Sequence, residues 1–164
     1  MNKIPQKLDQ QELDAYRALI ESGDLLQQLV DRQLRRDADI SRAQFEILAR
    51  MTASPDGVRM SELADRSVLS KSGMTYRVAQ LEKIGLLERI GDPADERGVV
   101  ARLTPAGRAL LDKVLPGHIA IVREAFLRVL TRDDLDILTP ILQRVAQRLR
   151  DPAVQATQAG GEGD

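Results

Sequence analysis

The 164-residue chain has no cysteine and no tryptophan, a single histidine (His118), and only 2% aromatic residues. Without cysteine there is no disulfide framework, no thiol nucleophile and no thiol redox sensor. With one histidine a His-rich metal site is impossible. No Gly-rich phosphate loop and no paired-carboxylate site is legible, so neither catalysis nor a metal or cofactor is expected. No apolar run approaches the ~18–20 residues of a membrane span. The opening MNKIPQKLDQQELD is polar and has no secretory h-region, so a cytoplasmic location is expected. An excess of either charge is also missing: the net charge is −1, which by itself does not announce a nucleic-acid partner.

What is present is an ordinary globular balance, 43% apolar and 30% charged residues. A core of Leu, Ile, Val and Ala suits helices better than a β-sandwich. Residues from about 9 to 36 carry one amphipathic pattern, with Leu13, Ile20, Leu25, Leu26, Leu29, Val30 and Leu34 mostly at helical spacing. Such a helix would be roughly 40 Å long, too long for a small domain to cover alone. ISRAQFEILARM (40–51) reads as a second helix capped by Ser41, with Phe45, Leu48 and Ala49 inward. MSELADRS (60–67) is a short helix opened by Ser61, and Val68-Leu69 is a turn. SKSGMTYRVAQLEKIG (70–85) is a third helix, capped by Ser70 and ended by Gly85, with Met74, Val78 and Leu81 as its apolar stripe.

Two short strands follow, LLERI and VVARL, separated by a charged hairpin tip of roughly eight residues within GDPADERGVV. Thr104 then caps a helix with Pro105 at its first position. Pro116-Gly117 should break or kink that helix before it resumes to about Leu130. Thr131 and Asp134 stand at capping-box spacing, and Leu135, Leu138, Leu142, Val145 and Leu149 form a narrow seam. Pro140 predicts a bend there. DPAVQATQAGGEGD at the end lacks large apolar groups and reads as disorder.

A short helix, a turn, a second helix and a hairpin make a winged helix-turn-helix, in which the second helix enters the DNA major groove. With Met74 at the centre of the inward face, ~100° per residue puts Ser72, Thr75, Tyr76, Ala79, Gln80 and Lys83 on the outward half. Arg77 falls on the flank, where a phosphate contact is expected rather than a base contact. The N–H groups that open the helix also suit a phosphate. The charged hairpin is then a wing. Arg97 can reach an adjacent minor groove, and Asp95 can orient its guanidinium through a charge-assisted hydrogen bond. Asp92 and Glu96 nearby do not help DNA affinity, so Arg97 must be aimed rather than merely attracted.

The blocks SRAQFEIL, SELADRSVLSKSGMTYRVAQLEKIGLLER and DPADERGVVARLTPAG resemble those of the MarR (multiple antibiotic resistance regulator) family, over residues 40–111. The family's D-x-R wing motif falls on Asp95 and Arg97, and its recognition-helix start on Ser70 to Thr75. The position after the family's Thr is often Arg; here it is Tyr76, followed by Arg77. The family's redox-sensing branch uses Cys, which this chain lacks.

The resemblance implies a homodimer on double-stranded DNA, a palindromic operator, repression, and release by a small anionic or phenolic ligand. The expected DNA-binding residues are Ser70, Lys71, Ser72, Thr75, Tyr76, Arg77, Gln80, Asp95 and Arg97. The fold class is mainly α with a small β-hairpin wing: a dimerisation helix over 1–38, the winged helix-turn-helix over 39–104, C-terminal dimerisation helices over 105–150 and a disordered tail over 151–164. The long first helix and the last two would pair across a two-fold axis and cover each other's stripes. The alternative is a winged helix turned protein-binding module, whose mark would be a hydrophobic outer face on 70–83. His118 reads as a surface or interface residue, and Tyr16 and Phe45 as packed in the aliphatic core rather than lining a ligand pocket.

Overall fold

A computed structural model describes residues 7–54, 56–65, 71–92 and 95–154, apart from the side chains of Asp65, Lys71, Glu96 and Arg97. The first helix, α1 (Gln10–Ala38), starts at a capping box: Asp9 accepts from the Glu12 N–H, and Glu12 reaches back to the Asp9 N–H, each at 2.9 Å. It ends at Asp39, whose φ of 52° is left-handed, a conformation a short polar side chain tolerates. Only its last third is buried, at Val30, Gln33 and Leu34. Helix α2 (Arg42–Arg50) opens on a second capping box, Ser41 with Gln44, and buries Phe45, Ile47 and Leu48.

A short strand β1 (Val58–Arg59) precedes α3 (Met60–Asp65), which starts one residue before the expected opener Ser61. The anticipated turn at Val68-Leu69 lies outside the described residues. Helix α4 (Lys71–Lys83) buries Met74, Val78 and Leu81 almost completely, at 1%, 0% and 0% exposure. The expected inward stripe is therefore what anchors this helix. Gly85, at φ 74°, ends it.

Strands β2 (Leu87–Asp92) and β3 (Asp95–Leu103) form the hairpin, and β1 pairs with β3 on its other side, so the sheet has three strands in the order β1-β3-β2. The two-residue β1 is too short to carry a legible alternation. The hairpin also corrects the expected eight-residue tip. Pairing continues to Asp92 opposite Asp95; Pro93 and Ala94 lie outside the described residues. The charged residues are strand and bulge rather than loop.

Helix α5 (Pro105–Ala125), capped by Thr104, runs unbroken through Pro116, against the expected interruption, and a 3-10 turn (Leu127–Val129) follows it. Pro116 lacks the N–H that would donate to the Asp112 carbonyl, and α1 packs beside α5 close to this point. The buried Gln33 amide donates to the Val114 carbonyl at 3.1 Å and to Asp37 Oδ2 at 2.8 Å. Gly117 lets α1 come close: a Cβ there would lie 3.0 Å from Asp37 Oδ2 and from Gln33 Nε2. His118, expected at the surface or an interface, is half-buried with its ring 4.7 Å from that of Phe45. Phe45 is in the core, whereas Tyr16 is 57% exposed, on the part of α1 that precedes its buried residues Val30, Gln33 and Leu34.

Helix α6 (Arg132–Leu149) starts at the expected capping box, Thr131 with Asp134, and continues through Pro140. Among the described residues, none of α6 is buried. Residues 152–154 add a helical turn after Asp151, where disorder was expected: Asp151 Oδ1 accepts from the Ala153 N–H at 2.9 Å, and its carbonyl accepts from Val154 at the same distance. Residues 155–164 lie outside the described residues. No helix is long and apolar enough to cross a membrane among those described.

Candidate nucleic-acid interface

The stripe of Met74, Val78 and Leu81 faces the core, which turns the opposite side of α4 outward. Ser72, Thr75 and Tyr76 are exposed, Tyr76 by 64%. Arg77 is half-buried on the flank, as its place on the helix implies. Gln80 is half-buried and donates from Nε2 to the Tyr76 hydroxyl at 2.8 Å. Lys83 and Ile84 complete this face, and with Gln44 of α2 they line a shallow dish around Tyr76, Ala79 and Gln80. Ser70 lies outside the described residues, as does the Lys71 side chain.

The hairpin is fixed to this helix by charge. Glu82 accepts from Arg89 Nε at 2.9 Å, from its terminal nitrogen at 2.6 Å and from its backbone N–H at 3.1 Å. The Arg89 hydrogen bond is the main reason the Glu82 carboxyl is held below the usual range. A second pair, Arg102 to Glu88 at 2.8 and 3.0 Å, crosses between β2 and β3. The Glu82–Arg89 bonds thus tie α4 to β2, and the Arg102–Glu88 pair ties β2 to β3.

At the wing itself the register jumps: Gly91 faces Val99, but Asp92 faces Asp95. Glu96, Arg97 and Gly98 therefore bulge out of β3, and bulges serve to re-aim a side chain. The bulge lies against Asp92. A Cβ on Gly98 would be 2.7 Å from the Asp92 Cβ, so glycine is what lets the backbone close over it. Asp92 in turn is paired with Arg59 of β1, Nε to Oδ2, at 2.6 Å. The expected Asp95–Arg97 contact involves a side chain outside the description; Asp95 itself is exposed at the start of β3.

Sequence reasoning treated Asp92 as merely unhelpful and passed over Arg59. The two are 33 positions apart, and the pairing of both β1 and β2 with β3 brings them together. Gln44 was also passed over, because its only sequence signal is the capping box it serves.

A model of the MarR family matches residues 38–98. The chain is 35% identical to Sco3205, a MarR family transcriptional regulator from Streptomyces coelicolor solved in complex with DNA. That similarity covers 93% of this chain and 96% of Sco3205, with a TM-score of 0.84. The chain belongs to the MarR family. As a member of that family of transcriptional regulators it is not an enzyme. A second MarR family regulator from the same organism, AbsC, is 32% identical over 88% of this chain and 98% of its own, with a TM-score of 0.83. Two relatives from Bacillus subtilis, the regulators YkoM and MhqR, are 35% and 33% identical over 86 residues. Those matches span 52% of this chain but only 55% and 59% of the relatives' own lengths. Helix α4 and the β2–β3 hairpin thus sit in a mainly helical, MarR-like fold with a small three-stranded antiparallel sheet, in which α1 packs on α5.

Proposed function

We propose that this chain is a sequence-specific DNA-binding regulator that acts as a homodimer on a palindromic operator and represses transcription from it. The observation that carries the reading is the ion-paired attachment of α4, with its polar outward face, to a bulged wing that bears Arg97. Helix α4 enters the major groove, and its first N–H groups take a phosphate. The wing turns Arg97 toward the adjacent minor groove. Ser70, Lys71, Ser72, Thr75, Tyr76, Arg77, Gln80 and Asp95 complete the contact surface. The crystallisation of Sco3205 with DNA supports this docking.

The dimer rests on uncovered apolar surface. Ile137, Ile141, Leu142, Val145 and Leu149 of α6 are exposed, as are Tyr16, Leu19, Ile20 and Leu25 of α1. A second copy covers these stripes, and a two-fold places two α4 helices ~34 Å apart, one turn of DNA. A small anionic or phenolic ligand that releases the operator, and a cytoplasmic location, belong to the same reading. Selection of bound sites from a random duplex pool tests it. An enriched palindrome with half-sites one turn apart is the expected result, and no enrichment at any salt concentration would defeat it.

A further inference from the structure

Tyr76 and Gln80 stand one turn apart on the outward side of α4, and they are joined. The Gln80 Nε2 donates to the Tyr76 hydroxyl oxygen at 2.8 Å. A glutamine amide has two N–H donors on its nitrogen and two lone pairs on its oxygen. With one N–H committed to Tyr76, the amide keeps one donor beside one acceptor. The tether also restrains a long side chain whose rotamer freedom would otherwise be lost on binding.

We infer that Gln80, oriented by Tyr76, reads an adenine in the major groove and sets base preference at one position of each half-site. The inference deepens the DNA-binding reading above and rests on it. Adenine presents its N7 acceptor beside the N6 amino donor, the complement of the donor and acceptor that Gln80 retains. Guanine presents N7 and O6, both acceptors, and would set O6 against Oε1.

The other amide in the same dish is committed elsewhere. Gln44 Oε1 accepts from the Ser41 backbone N–H at 2.9 Å and from the Ser41 hydroxyl at 3.0 Å, closing the cap of α2. Gln80 is therefore the amide of that dish whose oxygen can meet a base. Ala79 beside it is small enough to admit a base edge, and Lys83, nearly one turn on, can take the flanking phosphate. Tyr76 acts as a positioning residue for Gln80.

The test is site selection from a random duplex pool with the full-length wild type, Gln80→Glu, Gln80→Ala and Tyr76→Phe, followed by anisotropy titrations on single-base variants of the selected site. The wild type should hold adenine at one position per half-site, with a roughly ten- to hundred-fold penalty for guanine there. Gln80→Glu should move that position to cytosine, whose N4 amino group a carboxylate accepts from. Gln80→Ala should abolish the preference at that position alone. Tyr76→Phe should lower it several-fold while the base preferences at the other positions of the half-site are kept, a split that loss of folding would not produce. An enriched palindrome that is identical for wild type and Gln80→Ala overturns this inference and leaves the DNA-binding reading intact. A wild type that enriches no sequence overturns that reading and this inference with it.

Discussion

The Asp92 carboxylate lies 2.6 Å from Arg59 Nε and is 6% exposed, covered by the bulge that carries Arg97. An acid that simple charge counting would place against DNA affinity thus serves as a floor for the wing and as its link to β1. Removing it should free the bulge. Asp92→Ala should weaken binding to the specific duplex about tenfold, and cost about 1–2 kcal/mol of stability because a buried acceptor and its partner are separated. Arg59→Ala should act similarly, and the double variant should cost less than the two singles together. Fluorescence anisotropy and thermal melts measure both effects. Tighter DNA binding by Asp92→Ala would return the residue to a purely electrostatic role.

Arg97 itself should count as one good contact. Arg97→Ala should lose roughly 1–3 kcal/mol of specific binding and reduce the salt slope by about one. Asp95→Ala should also weaken binding if Asp95 orients Arg97, although it removes negative charge near DNA. Titrations of the two singles and the double across a salt series decide this. A double variant with fully additive losses would show that the two residues act separately.

The exposed apolar face of α6 should be an interface between copies. Leu142 and Val145 lie on it at 37% and 38% exposure in the single chain. Leu142→Asp and Val145→Asp each set a charge in that face, and the desolvation cost of an unpaired carboxylate should be enough to dissociate the dimer. Light scattering should show a dimer for wild type and a monomer for the double variant. Operator affinity should fall in parallel, since each half-site then binds alone. A monomeric wild type at micromolar concentration would contradict the assignment.

Stability should fall on mild acidification through His118. Burial against Phe45 pushes its pKa below the ordinary 6.5. The unfolded chain then binds more protons than the folded one between the folded value and about 6.5, so stability is fully present above that window and is lost as pH falls through it. Asp37 behaves separately: Arg36 first, and then Gln33, hold its carboxyl below 3.8, so its contribution is lost only in stronger acid. Urea titrations at pH 7.5, 6.5 and 5.5 should show the decline for wild type and a flatter profile for His118→Gln. An unchanged slope in that variant would remove His118 as the cause.

Much of the architecture was determined locally, and so by the sequence alone. The cap at Ser41, the capping box at Thr131 and the Thr104-Pro105 start act within four residues, and each is found where the spacing puts it. The 3.6-residue period of Met74, Val78 and Leu81 dictated which side of α4 is buried, and by subtraction which side is left for a partner. Tertiary structure decided what depends on distant neighbours. A proline ordinarily interrupts a helix, yet α5 continues through Pro116; close by, Gln33 of α1 donates to the Val114 carbonyl, 81 positions on, a contact no local pattern shows. Strand β1 exists because β3 offers it an edge, since two residues carry no pattern of their own. The wing followed the same logic: charge in GDPADERGVV reads as loop, but cross-strand pairing extended both strands and packed the surplus residues into a bulge over Asp92. Local hydrogen bonds and helical periodicity are written in neighbouring residues, whereas ion pairs and strand edges between distant segments form only once the chain has folded.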